Sequence, residues 1–428
     1  MKSSKNIFFL LILLFSGLIV NGQDLDYARY CLEKLSSKSF HGRGYVKGGD
    51  LKAAKFISKE FEKNDLRHFG KNYFQQYDFS INTFPGSIKI ELDEENLVAG
   101  EDYVIGCSNK STNGTFKLVY VPDSITTDSA FLDFILKQKL TNNEVVVTSA
   151  KLRAIYGMSL VGIKGVIVKI DKPWWHVSRS TILSNTFWLR VKTDKFDTKP
   201  NSVSVKFENE FVSTHKTQNV VAFVEGKKYP EKYFVFTAHY DHLGMMGNKT
   251  YFPGANDNAS GTSMLMDLAR HFSLTDNQPD YSIVFMAFSG EEAGLHGSRF
   301  NAENPLFPLE NIELLINLDM VGSGSDGITV VNSSIYVDLL DEMRRINEEN
   351  GFLKLIKERG ESCNSDHCPF FKKGVKSVFI YTMGKELVEY HTVYDTPENF
   401  PFTAYDGLFK LLNDLVTTST LVKRSDDN

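Results

Sequence analysis

Imidazole and carboxylate side chains follow three separate apolar segments in the second half of the chain. They are His239 and Asp241 after residues 233–238, Glu291 and Glu292 after residues 282–288, and Asp319 after residues 312–318. Nitrogen and oxygen donors of this kind, with no thiolate among them, suit zinc in a catalytic rather than a structural site. We therefore expect a metal centre where the ends of these segments meet.

Two further residues extend this set of candidate ligands. Asp257 lies in a turn-rich loop before a helical segment, and His391 lies near the C-terminus. Carboxylates that converge at one place repel each other and resist ionisation unless cations are present. Two His and three carboxylates make an odd number of ligands, which favours two metal ions that share one bridging carboxylate.

Glu291 and Glu292 are adjacent, and this adjacency separates their expected roles. Neighbouring residues that leave a strand point in different directions. One carboxylate can therefore bind metal while the other acts on water as a base. An Asp at a helix start is most often an N-cap, so Asp257 can also serve partly in that way.

The segments around these residues predict strands that alternate with helices. We expect strands at 233–238, 282–288, 312–318 and 375–381, and helices at 260–272, 335–349 and 404–421. This alternation predicts an α/β fold with a mainly parallel, mixed sheet flanked by helices. In such sheets, functional groups collect just past the carboxyl ends of the strands.

The middle of the chain has a different pattern, with short alternating strands and no cluster of metal ligands. We expect strands at 88–92, 116–121, 144–148, 161–170 and 203–207, separated by turn signals such as Asn113-Gly114. Residues 87–213 are therefore predicted to be an inserted β-rich domain, and residues 23–86 plus 214–428 the main domain. An amphipathic helix is predicted at 49–64, with Leu51, Ala54, Phe56, Ile57 and Phe61 on one face.

The first 22 residues are predicted to be a cleaved signal peptide. Lys2 and Lys5 precede an apolar run at 7–20, and small residues near Gly22 offer a cleavage site. A membrane anchor is the alternative, but this run is shorter than the roughly 20 residues that a spanning helix needs. We expect a secreted or periplasmic protein without stable membrane insertion.

Composition narrows the function classes, and the cysteines leave one question open. With a formal net charge of −5 and no basic block, a nucleic-acid partner is not expected. An aromatic content of 13% argues against disorder. Cys363 and Cys368 are close enough to form a disulfide in an oxidising compartment, and free buried thiols are the equal alternative.

Five motifs surround the candidate site residues. They are AHYDHLG at 238–244, GANDNASG at 254–261, SGEEAGLHGS at 289–298, NLDM at 317–320, and YHT at 390–392 with Asp395-Thr396. Together they resemble the two-zinc aminopeptidase family, which also contains glutamate carboxypeptidase and the glutaminyl cyclases. The resemblance implies a phosphorylase/hydrolase-like zinc exopeptidase fold, and residues 87–213 more weakly resemble a protease-associated domain.

The resemblance implies a role for each matched residue. His239 and Asp319 would hold one zinc ion, Glu292 and His391 the other, and Asp257 would bridge the two. Glu291 would be the base that acts on a water activated by both ions. Asp241 would orient the site around His239, and Tyr390 would stabilise the oxyanion. The role of Asp366-His367 is open, and His242, His271 and His296 are interpreted as structural or surface groups.

The activity implied is removal of N-terminal residues from peptides with a free N-terminus. A glutaminyl cyclase-like enzyme is one alternative, although the loop at 256–261 favours two metals. A carboxypeptidase-type relative is another, since Arg299 and Arg359 could bind a substrate carboxylate. A non-enzymatic binding protein is disfavoured because every expected ligand is present. The preferred residue and the oligomeric state stay open.

Overall fold

The computed structural model describes residues 23–418, and the predicted signal peptide lies outside these residues. Eight α-helices occur in this range: α1 Leu25–Ser36, α2 Gly49–Lys63, α3 Asp128–Gln138, α4 Gly261–Ser273, α5 His296–Glu303, α6 Val337–Asn350, α7 His367–Phe371 and α8 Tyr405–Thr417. The strands that precede α4 are β1 Phe74–Thr83, β2 Ile88–Leu92, β3 Glu95–Asn96, β4 Tyr103–Ile105, β5 Thr112–Tyr120, β6 Glu144–Thr148, β7 Gly165–Ile170, β8 Phe187–Lys192, β9 Ser202–Phe207, β10 Glu210–Val224, β11 Tyr229–His239, β12 Met245–Met246 and β13 Thr250–Tyr251. The later strands are β14 Tyr281–Phe288, β15 Ile312–Leu318, β16 Gly327–Val331, β17 Ile356–Arg359 and β18 Ser377–Met383.

The first large sheet has eight strands in the order β1-β10-β14-β11-β15-β18-β16-β17. Strands β14, β11, β15 and β18 run parallel to one another at its centre. The flanking pairs β10–β14 and β16–β18 are antiparallel, so the sheet is mixed. All eight residues of β14 are buried, as expected for a parallel strand covered on both faces. The carboxyl ends of the four central strands therefore lie at one edge.

Helices cover both faces of this sheet. One apolar cluster joins alternate strand residues, such as Phe236 and Ile316, to helices α1, α2, α4, α6 and α8. The opposite face buries residues such as Val235 and Leu315 against Ala302 of α5 and Phe370 of α7. Side chains alternate across a strand, which is why neighbouring residues enter different clusters. This architecture confirms the predicted α/β class.

The second large sheet is built from strands between residues 88 and 207, in the order β3-β2-β9-β5-β6-β7-β8-β4. Its strands β5, β6, β7 and β8 are parallel. A parallel pair needs a crossover, and helix α3 supplies it between β5 and β6. Helix α3 was not predicted from the sequence, although Thr127 caps it by accepting from the Ala130 N–H.

Two local predictions are wrong. Asn113-Gly114 does not form a turn but lies inside β5, where it pairs with β9. A Cβ atom at position 114 would lie 2.9 Å from the Phe116 ring, so glycine makes room for that ring within the strand. Leu51 does not share the buried face of α2, since it is 40% exposed, and Ala53 is buried in its place.

The other predicted elements occur within a few residues of their expected bounds, and helix α8 ends at Thr417. The part of the predicted helix beyond residue 418 lies outside the described range. Among the described helices, none is both long and apolar enough to cross a membrane. Cys363 and Cys368 form a disulfide, whereas Cys31 and Cys107 are free and buried.

Candidate metal centre and active site

The carboxyl edge of the first sheet collects the predicted site residues. His239 is the last residue of β11, and Asp319 directly follows β15. Glu291 and Glu292 lie in the turn between β14 and α5. Because these strands are parallel neighbours, their ends bring the four side chains together, as the sequence order predicts.

Asp257 reaches the same edge from an irregular turn, Ala255–Ser260, that precedes α4. The Asp395 carboxylate accepts the N–H groups of Asn256 and Asp257 at 2.8 and 3.0 Å. The wholly buried Arg43 donates to the carbonyls of Gly254 and Asp257 at 2.7 and 3.3 Å. These contacts fix the turn so that the Asp257 carboxylate points into the site. Asp395 thus supports the Asp257 backbone from a position 138 residues away in sequence.

One group of ligand atoms surrounds the His239 ring. His239 Nε2 lies 3.4 Å from Asp257 Oδ1 and 3.4 Å from Asp319 Oδ1. All three residues are buried and could hold a metal ion. Ser365 Oγ donates to the other oxygen of Asp319 at 2.7 Å, which orients that carboxylate.

A second group surrounds His391, which follows β18 by eight residues. His391 Nε2 lies 3.0 Å from Asp257 Oδ2 and 3.2 Å from Glu292 Oε2. The backbone of His391 has a φ of 57°, in the left-handed region that non-glycine residues rarely adopt. The two oxygens of Asp257 therefore face two different imidazoles, the arrangement that a bridging ligand requires.

These spacings and donor types fit zinc. Zinc bonds to His nitrogen at about 2.0–2.1 Å and to carboxylate oxygen at about 2.0–2.2 Å, so tetrahedral ligands lie roughly 3.3–3.6 Å apart. The four ligand-to-ligand distances of 3.0–3.4 Å are close to this range. The donor set contains no thiolate, which is typical of catalytic zinc sites.

His242 is a site residue that the sequence analysis missed. It is wholly buried, and its Nδ1 lies 2.7 Å from Glu292 Oε1. Its ring lies close enough to Asp257 and Glu292 for the three side chains to hold a metal ion, so His242 is a candidate ligand beside His391. It lies beyond the end of β11, where the alternation of side chains along a strand no longer predicts which way a side chain points. His296, in contrast, stacks on Phe79 with ring centroids 4.5 Å apart, and His271 contacts Asn413.

Asp241 is wholly buried, and it positions other residues besides His239. Its carboxylate accepts the Tyr45 O–H at 2.6 Å and the N–H groups of Glu291 and Glu292 at 3.2 and 3.3 Å. His239 Nδ1 lies nearer to the Asp241 backbone carbonyl, at 3.2 Å, than to its carboxylate, at 3.8 Å. Asp241 therefore holds the turn that carries both glutamates.

Glu291 has surroundings that suit a proton acceptor. Burial raises the pKa of the Glu291 carboxyl well above its ordinary value, His239 lowers it, and Glu292 and Asp366 raise it further. Glu291 lines a cavity of about 320 Å³ together with Glu292, Tyr390 and His391. A carboxylate that can hold a proton next to the ligands can act on water at this place.

Tyr390 lies at the mouth of the same cavity. Its ring stacks on His391, with centroids 3.8 Å apart and an interplanar angle of 18°. The residue is 49% exposed and lines this cavity, so it borders the space that a substrate would enter. Neither Arg299 nor Arg359 is among the residues that line this cavity.

Residues 87–213, which we call the insert, also reach the site. Trp174, His176 and Ser178 line the cavity that contains Glu291. The Trp175 N–H donates to the His391 carbonyl at 2.9 Å, and Lys172 pairs with Glu389 at 2.7 Å. No ligand-type motif in the insert indicated this contact, since aromatic residues in a β-rich segment are ordinarily core residues.

The part of the chain that carries these residues is similar to known peptidases. The profile of peptidase family M28 matches residues 219–416. Aminopeptidase YwaD of Bacillus subtilis is 35% identical over 194 residues, which are 43% of this chain and 39% of that protein. A probable zinc metalloprotease of Pyricularia oryzae is 41% identical over 112 residues, which are 26% of this chain and 22% of that protein. The matched segments thus cover about a fifth to two fifths of the length of these relatives.

A solved structure extends the likeness to the whole fold. The zinc aminopeptidase BSAP from Bacillus subtilis has a TM-score of 0.67 and 20% identity, and covers 92% of this chain and 95% of its own. At this identity the similarity shows the fold alone. It confirms a mixed α/β architecture that extends over both large sheets.

Proposed function

We propose that the protein is a member of peptidase family M28, whose profile matches residues 219–416, and an aminopeptidase that uses two zinc ions. Its substrates are peptides with a free N-terminus, from which it removes the first residue. The observation that carries the proposal is the placement of the Asp257 carboxylate, whose two oxygens face His239 and His391. A carboxylate whose two oxygens face separate imidazoles can contact two metal ions at once.

The chain offers a complete set of ligands for both ions. His239 and Asp319 would hold one zinc, Glu292 and His391 the other, and Asp257 would contact both. His242 would orient Glu292 through its contact of 2.7 Å. When bound, zinc lowers the pKa of water and polarises the scissile carbonyl.

The remaining steps belong to side chains of the protein. Glu291 accepts a proton from the attacking water and passes it to the leaving amine, which breaks the peptide bond. The Tyr390 hydroxyl donates to the oxyanion that develops on the carbonyl oxygen. Asp241 keeps Glu291 in place through the hydrogen bond to its N–H.

The experiment is hydrolysis of unblocked amino-acid amides in the presence of zinc. We expect release of the amine, loss of activity with a chelator, and a fall in kcat of about 10²–10⁴-fold in Glu291→Gln with zinc content unchanged. The matched control is Glu310→Gln, which changes an exposed glutamate away from the site. Turnover of N-terminal Gln peptides by cyclisation, or of N-blocked peptides alone, would contradict the aminopeptidase assignment.

Export of the protein is part of the proposal. The basic and apolar pattern of the first 22 residues is typical of a signal peptide. The Cys363–Cys368 disulfide supports an oxidising compartment, since disulfides persist there and are rare in the cytosol. Cell fractionation should find the protein outside the cytosol with a new N-terminus near residue 23. Retention of Met1 in the cytosol would contradict export.

A further inference from the structure

A second cavity, with a volume of about 680 Å³, lies in the insert. This volume is within the range of roughly 300–1,000 Å³ that is common for binding pockets. Its lining contains one carboxylate, that of Asp171, and five cations. We call it the basic cleft, and its cations are Lys151, Arg153, Lys169, Lys172 and Arg190.

Most of this positive charge is not neutralised by neighbouring carboxylates. Lys151, Arg153 and Arg190 form no ion pair with a carboxylate within residues 23–418. An excess of cations in a concave site attracts anions and concentrates them there. The other two cations pair at 3.6 and 2.7 Å, Lys169 with Asp123 and Lys172 with Glu389.

Arg190 is held in position by aromatic rings. Its guanidinium carbon lies 4.3 Å from the centroid of Tyr156 and 3.9 Å from that of Trp174. It also donates to the Trp174 carbonyl at 3.3 Å. These contacts orient the guanidinium without cancelling its charge. An oriented guanidinium is well suited to bind a carboxylate.

The basic cleft adjoins the metal-site cavity. Trp174 lines both cavities. His176 lines the metal-site cavity and lies 3.3 Å from Arg190 through its Nε2 atom. A peptide whose N-terminus lies at the metal ligands can therefore extend past Trp174 toward the cleft, at about 3.3–3.6 Å per residue.

We propose that the basic cleft binds carboxylates of the substrate downstream of the scissile bond. The α-amine of such a peptide then lies at the metal site, and its anionic groups lie in the cleft. The enzyme accordingly prefers peptides that carry Asp or Glu side chains, or a free C-terminal carboxylate, at that distance. This inference rests on the proposed peptidase function, because the metal site sets the direction of the bound peptide.

The test compares two double variants with the same change of charge. Lys151→Gln with Arg153→Gln removes two exposed cations that line the cleft. Lys117→Gln with Lys206→Gln removes two exposed cations from strands β5 and β9 of the same sheet, outside the cleft. None of the four side chains is buried, so both variants should fold.

The substrates separate the possible sources of the carboxylate. Leucine p-nitroanilide has no downstream residue, Leu-Ala-Ala-Glu-Glu-amide carries acidic side chains only, and Leu-Ala-Ala-Ala-Ala carries a C-terminal carboxylate only. For at least one of the two peptides, kcat/KM at low salt should fall about three- to tenfold in the cleft variant. The anilide should be unaffected, and the control variant should match the wild type.

Two results would overturn the inference. One is an equal fall in both double variants, and the other is no fall with either peptide. Failure of the proposed function appears differently, as no hydrolysis of the anilide by any form. Tryptophan fluorescence then decides the inference independently, because all three tryptophans lie in the insert. Binding of the acidic peptide should be weakened only in the cleft variant, and binding that is equal in all forms contradicts the cleft.

Discussion

The Trp175 N–H donates to the backbone carbonyl of His391 at 2.9 Å, which ties the insert to a candidate metal ligand. The Trp175 side chain is buried, and its Nε1–H donates to the Ile105 carbonyl at 2.7 Å. His391 has a left-handed backbone that needs support from its surroundings. The insert therefore contributes to the geometry of the metal site.

Replacing Trp175 by Ala should weaken both the fold and zinc binding. Loss of this buried side chain should lower the free energy of unfolding by about 3–5 kcal/mol, measured by urea denaturation. Zinc affinity, measured by chelator competition, should fall because the segment that holds His391 becomes looser. The control is Trp174→Ala, whose side chain is 38% exposed and should cost no more than about 1 kcal/mol. Equal zinc affinity in both variants would contradict this role of Trp175.

Zinc content should reveal the shared ligand. We expect two zinc ions per chain in the wild type, one in Asp319→Ala, one in His391→Ala and none in Asp257→Ala, because only Asp257 faces both imidazoles. Elemental analysis after dialysis measures this, with circular dichroism to verify folding. His68→Ala, an exposed histidine, should retain two ions. A single ion in the wild type would refute the two-zinc proposal.

The Tyr390 hydroxyl should matter for catalysis and not for substrate binding. Tyr390→Phe keeps the ring that stacks on His391 but removes the donor to the oxyanion. We expect kcat to fall about 10²–10³-fold, with KM and zinc content nearly unchanged. Tyr394→Phe is the matched control, since Tyr394 is 54% exposed and lies three residues after His391. An unchanged kcat in Tyr390→Phe would exclude the role.

Asp267 on α4 should make stability depend on pH. Burial raises the pKa of its carboxyl to about 7 in the folded state, although Arg270 lowers it, whereas the unfolded value is about 3.9. Between these values the folded state keeps a proton that the unfolded state has lost. The contribution of Asp267 to stability should therefore fall as pH rises from about 4 to about 7, by at most about 1.4 kcal/mol per pH unit.

The neutral variant Asp267→Asn should lose this dependence. Its free energy of unfolding, relative to that of the wild type, should increase as pH rises through the same interval. Asp276→Asn changes an exposed aspartate three residues after the end of α4, and this variant should follow the wild type. Parallel curves for Asp267→Asn and the wild type would show that Asp267 does not carry the effect.

The central strands were predictable because their sequences are continuous apolar runs. Residues 312–318 match β15, and 282–288 match all but the first residue of β14. A buried parallel strand requires such a run, so composition alone indicates it. The extended backbone at Asn113-Gly114 was missed because pairing with β9 outweighs its local turn preference. Helix α3 was missed although its Thr127 N-cap is a local signal for a helix.

The sequence by itself determined the donor types and their order along strands that must share an edge. His239, Glu292 and Asp319 meet there because parallel neighbours align their ends. Only the tertiary structure decided how irregular segments are aimed. The Asp257 carboxylate depends on Asp395 and Arg43, and the His391 loop depends on Trp175. Side-chain directions in such loops follow no period, because contacts distant in sequence set their backbone.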